Sequence, residues 1–181
     1  MSTSPIPPRR IQTDRLVLRP TLVSDAERAF EIQTEWEVGR MLSMALYPPD
    51  RREIERWFAD HRREWLVGEA YRFAVELEGR MIGVVDVDEI ADGEGSLGYW
   101  FDRAAWGRGY AFEAAHAVMR FAFEEVGLAG LRSGHADDNP ASGRVLIKLG
   151  FSPLDTVARH SRSRGQTIIQ RRYILAKSPQ R

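Results

Sequence analysis

Between Asp50 and Leu66 the apolar residues Ile54, Trp57, Phe58 and Trp65 recur at helical spacing with charge between them, which predicts an amphipathic helix. Two capping-box pairs, Ser24 with Glu27 and Asp50 with Glu53, predict helix starts there, because each pair can satisfy two free amides of a first turn. The apolar and β-branched runs 71–77, 81–87 and 96–101 read instead as strands. Glu78-Gly79-Arg80 joins the first two as a hairpin, and Asp92-Gly93-Glu94-Gly95 makes the second turn. An earlier strand is expected at 16–19, stopped by Pro20. Downstream, Ala111, Ala115, Val118 and Ala122 share one helical face with Phe112, Met119, Phe123 and Val126 beside it, a surface broad enough to lie on a sheet. A strand at 131–136, a helix at 139–149 and a hairpin of 151–159 with 167–175 complete the pattern. The predicted order is β-α-α-β-β-β-α-β-α-β-β, an α/β fold (α+β in its mixed sheet) with helices on both faces.

At 181 residues the chain fits one domain, expected over 13–176, with flexible tails at 1–12 and 177–181 that are rich in Ser, Pro and Arg. Hydrophobic residues at 43% and charged residues at 29% are those of a packed protein. Lys plus Arg and Asp plus Glu are both 26, so no global field draws the chain to nucleic acid or to an anionic membrane, and an acidic ligand needs a local site. The absence of cysteine removes thiol nucleophiles, disulfides and thiolate metal sites; no metal is expected. No apolar run is long enough for a membrane span, and the first ten residues lack the apolar middle of a signal peptide, so a cytoplasmic location is expected.

The stretch AAWGRGYAFEAAH, residues 104–116, sets Gly107 and Gly109 between a strand and a helix. The first amides of a helix lack partners and carry about half a positive charge, so such a turn suits a phosphate. Glycine is also an ordinary turn residue and a passable helix cap, and by itself Gly-x-Gly does not decide between these readings. Phe112 stands where a dinucleotide-binding turn needs its third glycine, and no Gly-Lys-Ser or Gly-Lys-Thr follows, so neither usual nucleotide motif is present.

Four segments in the same order resemble the GNAT superfamily of N-acetyltransferases, and within it the RimJ/RimL-like branch that acts on ribosomal-protein N-termini. They are Thr13-Asp14-Arg15-Leu16-Val17-Leu18-Arg19, Gly98-Tyr99-Trp100, Trp106 to Ala114, and Asn139-Pro140-Ala141-Ser142 running into Lys148-Leu149-Gly150-Phe151. The resemblance implies the GNAT fold, with a central mixed sheet splayed between its fourth and fifth strands. It implies acetyl-CoA as cosubstrate, with pyrophosphate on the turn formed by Trp106, Gly107, Arg108, Gly109, Tyr110 and Ala111, and the amides of Arg108 to Ala111 as donors. Trp106 departs from the Gln or Arg usual at the first position. The strand at 97–101 would be the bulged strand that receives pantetheine, with amides near Trp100 and Phe101 holding the acetyl carbonyl. Asn139 would meet the pantetheine arm or orient the site, and Ser142 would be the acid that protonates the leaving thiolate.

Attack of an amine on a thioester needs an oxyanion donor, a base for the ammonium proton and an acid for the thiolate. Without cysteine there is no acetyl-enzyme on sulfur, so transfer is direct. Asn139 before Pro140 also reads as a helix cap that sets Ser142 at the third helical position, and the two roles are compatible. For the base, relatives carry Glu two residues before Gly98-Tyr99, where this chain has Ser96; Glu94 is the candidate here, with His135 ranked below it. Tyr99 is unassigned. Arg159, His160, Arg162 and Arg164 form a basic cluster near the last turn, read as a solvated loop in preference to a site for an acidic acceptor or for the 3′-phosphate of CoA. The expected activity is acetyl-CoA-dependent N-acetylation of a primary amine, a protein N-terminal α-amine or a small molecule such as an antibiotic, polyamine or amino acid, by a monomer or homodimer. The alternatives are a non-catalytic acyl-CoA-binding module and, disfavoured by the neutral charge, a nucleic-acid-binding domain.

Overall fold

Apolar residues occupy both faces of the runs at 71–77 and 80–91, and both faces are covered. The computed structural model describes residues 6–177. Its strands are β1 (Ile11–Gln12), β2 (Val17–Pro20), β3 (Tyr71–Leu77), β4 (Arg80–Ala91), β5 (Glu94–Phe101), β6 (Gly130–Ala136), β7 (Ser152–Ser161) and β8 (Gln166–Ala176). They form one mixed sheet in the order β1-β2-β3-β4-β5-β6-β8-β7. The helices are α1 (Asp25–Thr34), α2 (Trp36–Gly39), α3 (Arg51–Val67), α4 (Tyr110–Phe121) and α5 (Pro140–Lys148). This is the predicted α/β order with one short strand added at the start and one short helix, α2, added between the two predicted helices. Ile11 and Gln12, read from sequence as tail, pair with Leu18 and Val17. Trp65 Nε1 also donates to Ile6 O (2.8 Å), and Lys177 Nζ to Phe123 O (2.6 Å). The rest of the expected tails, residues 1–5 and 178–181, lies outside the described residues.

On one face Phe73, Val75, Val85, Val87 and Leu97 pack against Ala114, Ala115, Val118 and Phe121 of α4. The two alanines are fully buried, and their small side chains let the helix lie close to the strands. On the other face Ala74, Met81 and Val84 meet Ala26 and Ala29 of α1 and Ile54 and Phe58 of α3. Burying a side chain the size of Phe58 or Phe121 contributes roughly 1.5–3 kcal/mol.

Local signals held unequally. Asp50 caps α3 by accepting from the amides of Arg52 (2.8 Å) and Glu53 (3.2 Å), while the Glu53 carboxylate, instead of returning to the cap, pairs with Arg162 (3.0 Å). Ser24 makes no side-chain cap. The Asp25 carboxylate instead ties the helix start to the preceding chain, receiving the Leu22 amide (2.7 Å) and both terminal nitrogens of Arg19 (2.8 Å each). Both hairpin turns have two central residues with positive φ, Glu78-Gly79 and Asp92-Gly93, which suits the right-handed twist of the strands. The second hairpin is longer than predicted. Strand β4 continues to Ala91 through a register shift between Asp88 and Ala91, where Glu89 has φ 48°. The irregularity expected within 97–101 therefore lies on β4; the register of β5 with β4 is unbroken from Ser96 to Phe101.

Candidate active site

Strands β5 and β6 run parallel but pair at only three positions, Glu94 with Gly130, Gly95 with Leu131 and Ser96 with Arg132. Beyond these they part, and the predicted splay opens toward their carboxyl ends. Ser133 Oγ donates to Leu97 O (2.8 Å) at the apex. Further along, Trp106 Nε1 donates to Phe101 O (3.0 Å). Backbone groups of a strand alternate between its two edges, so Leu97, Tyr99 and Phe101 face the gap and Gly98 and Trp100 face β4. This places the Phe101 amide at the gap and turns that of Trp100 away from it. Trp100 sends its side chain toward the α1 and α3 face, where it packs with the second core cluster.

Both strands lead into helices whose amino ends lie at the mouth of the gap. After β5 the chain makes a short 3-10 turn, Arg103–Ala105, and enters α4 through Gly107 (φ 73°) and Gly109 (φ 80°), a left-handed conformation costly to other residues. Gly109 is the N-cap, and no side chain caps this helix. The first α4 amide bonded to a backbone carbonyl is that of Glu113, to Gly109 O (3.1 Å), so the amides before it remain for a ligand. Trp106 does not cap the helix; its indole ties the turn back to β5.

A brace not foreseen from sequence holds this turn. The Glu113 carboxylate receives Thr13 Oγ (2.7 Å), the Arg15 amide (2.8 Å) and Arg15 Nε (2.7 Å). Burial pushes its carboxyl up, but these donors, led by Thr13, together outweigh that and hold it below the usual carboxylate range. Arg15 Nη1 then donates to Arg108 O (2.8 Å), and its guanidinium lies 4.5 Å above the Tyr110 ring. The Thr-Asp-Arg segment at the start of the chain thus positions the glycine turn. Thr13-Asp14-Arg15 enters the sequence reading only as part of the family resemblance, and nothing there pairs it with Glu113.

At the second helix, Asn139 Oδ1 accepts from the Ser142 amide (3.3 Å) with Pro140 in the first turn, the cap that the spacing predicts. Ser142 Oγ donates to Tyr99 Oη (3.0 Å), and Tyr99 Oη donates to Ser142 O (3.2 Å), so the phenol bridges the gap from β5 to α5. Burial pushes the phenol up to about 12, with the Ser142 hydrogen bond opposing, and Tyr99 stays protonated at neutral pH. Ser142 and Asn139 are therefore brought together with Tyr99, Phe101 and the glycine turn around one opening.

Glu94 is not part of it. Its register with Gly130 is continuous through Gly95, so no bulge intervenes, and its carboxylate pairs with Arg132 (3.1 Å). Tyr99, the partner of Ser142, is five residues further along β5, about 16 Å at strand rise. His135 is buried with both ring nitrogens engaged, Nδ1 with Ala136 O (2.7 Å) and Nε2 with Tyr173 Oη (3.1 Å), and braces β6 against β8. In the basic cluster, Arg162 pairs with Glu53 and Arg164 with Asp138 (2.8 Å). Arg171 and Arg172 are likewise paired, with Asp137 and Asp155. Arg162 Nη1 and Arg164 Nε also donate to the carbonyls of Met44 (2.6 Å) and Arg40 (2.8 Å), so these arginines fasten the β7–β8 turn to the segment after α2.

Residues 15–152 match the family model described as Acetyltransferase (GNAT) domain. The probable N-acetyltransferase YjcK of Bacillus subtilis (strain 168) is 30% identical over 145 residues, 75% of this chain and 80% of that protein. The solved structure of RimL, the ribosomal L7/L12 alpha-N-protein acetyltransferase in complex with coenzyme A, superposes with a TM-score of 0.84 at 17% identity, covering 93% of this chain and 98% of that one. A second, the microcin C7 self-immunity acetyltransferase MccE in complex with acetyl-CoA and AMP, gives 0.80 at 16% identity over 96% and 99%. At these identities the two structures speak to the fold, while the family model covers the turn, the gap and the Asn139–Ser142 start of α5: the chain belongs to the GNAT acetyltransferase family.

Proposed function

We propose that this acetyltransferase uses acetyl-CoA to acetylate a primary amine directly, and that a protein N-terminal α-amine is the first acceptor class to test. One observation carries the reading: the uncapped start of α4 and the Ser142–Tyr99 pair border the same opening between β5 and β6. The α4 amides would hold the pyrophosphate, and the edge groups of Tyr99 and Phe101 would take the pantetheine and the acetyl carbonyl. Ser142 Oγ would turn from Tyr99 to the departing sulfur and give it a proton, with Tyr99 Oη donating in its place. The similarity to YjcK, a probable N-acetyltransferase, supports an amine acceptor, and the likeness in fold to RimL, an alpha-N-protein acetyltransferase, supports an N-terminal one. Following free thiol release from acetyl-CoA over a panel of N-terminal peptides, polyamines and amino acids tests this. Turnover on at least one amine is expected; binding without turnover on any would favour the non-catalytic module.

The Arg15 brace adds a prediction. Arg15→Gln removes the bond to Arg108 O and weakens the hold on Glu113, both charge-assisted. We expect the KM for acetyl-CoA to rise about tenfold, equivalent to about 1.4 kcal/mol, with kcat within threefold. An unchanged KM would make the brace a matter of stability alone.

A further inference from the structure

The carboxylate absent from position 96 of β5 has two counterparts on the neighbouring strand. Asp88 is the cross-strand partner of Ser96, and Asp86 is the partner of Gly98. Both belong to a buried ionic cluster that no step above uses. Arg72 of β3, 8% exposed, sends Nη1 to Asp86 Oδ2 (2.5 Å) and Asp88 Oδ2 (3.1 Å). Its Nε and Nη2 meet the two oxygens of Glu64 from α3 (2.7 and 3.1 Å), and Trp57 lies 5.1 Å from the guanidinium. Three carboxylates thus share one cation, an excess of negative charge in a nearly dry place.

Asp86 is itself 8% exposed, and its second oxygen, Oδ1, has no hydrogen-bond partner among the described residues. That oxygen is aimed at β5. A Cβ built on Gly98 would stand 2.8 Å from it, so only the lack of a side chain there leaves the approach open. Gly98 immediately precedes Tyr99, the residue whose backbone lines the gap and whose phenol holds Ser142.

From this geometry we infer that Asp86 is the proton acceptor for the amine, reached through water over Gly98, with Arg72, Glu64 and Asp88 holding its carboxylate in place. The inference rests on the N-acetyltransferase reading above. An amine arrives as ammonium and must lose two protons. The first passes from nitrogen through water to Asp86 Oδ1 and on to solvent, which frees the lone pair that forms the C–N bond to the acetyl carbon. The second leaves nitrogen as the C–S bond breaks and follows the same water to Asp86 Oδ1, by then free of the first, while the thiolate takes a proton from Ser142 Oγ, which regains one from solvent by way of Tyr99 Oη. No oxidant or further reactant is required.

The electrostatics agree with this role. Burial pushes the Asp86 carboxyl up to about 7, Asp88 and Glu64 add to the rise, and Arg72 pulls it back. Asp88 is raised for the same first reason, with Glu89 beyond it. From α3, His61 stands beside Arg72, and burial followed by the Arg72 charge brings it down to about 3, so it stays neutral across the assay range. The β5 residues opposite, Ser96 and Gly98, carry no charge. A group that titrates near neutrality is well placed to accept and release a proton in each turnover.

The test uses the full chain, acetyl-CoA and the best amine of the panel. Asp86→Asn leaves Arg72 paired with Glu64 and Asp88. It is expected to lower kcat about 100-fold, to leave the KM for acetyl-CoA within threefold, and to remove the acid limb of the kcat profile near pH 7. Asp86→Glu should recover at least tenfold of that loss. Gly98→Ala keeps the carboxylate but sets a methyl group 2.8 Å from its Oδ1, closing the approach, and should depress kcat in the same way, which covers the case of an Asp86→Asn chain that does not fold. Wild-type activity on the amine fixes the underlying reading independently. Given that activity, an Asp86→Asn enzyme within threefold of wild type with its acid limb intact, or a Gly98→Ala enzyme with wild-type rate and profile, would overturn the assignment.

Discussion

Gly109→Val is expected to weaken acetyl-CoA binding by two to three orders of magnitude. Gly109 has φ 80°, and a β-branched residue held there is strained by about 1–3 kcal/mol. A Cβ would also sit 3.4 Å from Arg15 Nη2, so relief of the strain pushes on the guanidinium that holds Arg108 O. The cheapest escape is a rotated turn, which disperses the amides at the start of α4. Losing two charge-assisted hydrogen bonds to a phosphate, at about 1.5–2 kcal/mol each, costs about 3–4 kcal/mol, and that sets the size of the effect. Gly93, φ 79° with open space around it, is the control, because it sits in the β4–β5 turn away from the gap. Gly93→Val should lower stability by a similar strain and leave binding unchanged. Equal loss of binding in both variants, read by calorimetric titration, would mean that stability and not the turn sets affinity.

Ser142→Ala is expected to lower kcat by about 100-fold or more, within the range of general acid catalysis, with the KM for acetyl-CoA within threefold. Ser142 is also the third residue of a capped helix, and the cap uses its amide, which alanine retains. A purely structural Ser142 therefore predicts a stability change below about 1 kcal/mol and an unchanged kcat, so the two roles separate cleanly. Tyr99→Phe should produce the smaller loss, about tenfold, because Ser142 still reaches the sulfur but lacks the phenol that donates in its place. Both variants are read by steady-state thiol release at saturating amine. A Ser142→Ala enzyme at wild-type kcat would remove Ser142 from the chemistry.

How far the sequence reveals this site depends on where each signal sits. The two glycines, Asn139 with Pro140, and Asp50 act within a few residues of themselves, and local chemistry is legible in a linear string. The splay enters only through the family resemblance, because it is a failure of pairing between strands 36 residues apart in register, and no local signal marks Ser96 as the last residue of β5 opposite β6. The ionic cluster was hidden for a different reason. Tyr71-Arg72-Phe73 and Val85-Asp86-Val87-Asp88 alternate like strands with one wet face, yet α3 covers that face and the charges are buried against one another. The arginines at 162–172 mislead in the opposite sense: a basic run in sequence becomes a set of pairs when Glu53, Asp137, Asp138 and Asp155 arrive from elsewhere. Glu94 lies away from Tyr99 because strand rise, not sequence proximity, sets the distance between them.

The central claim is that the uncapped start of α4 beside the β5–β6 gap is where acetyl-CoA binds. Titration of the purified full chain with acetyl-CoA by isothermal calorimetry tests it most directly. The account predicts one equivalent bound per chain, with the affinity lost in Gly109→Val and kept in Gly93→Val. A wild-type chain that binds no acetyl-CoA, or a Gly109→Val chain that binds it as tightly as wild type, would contradict the account.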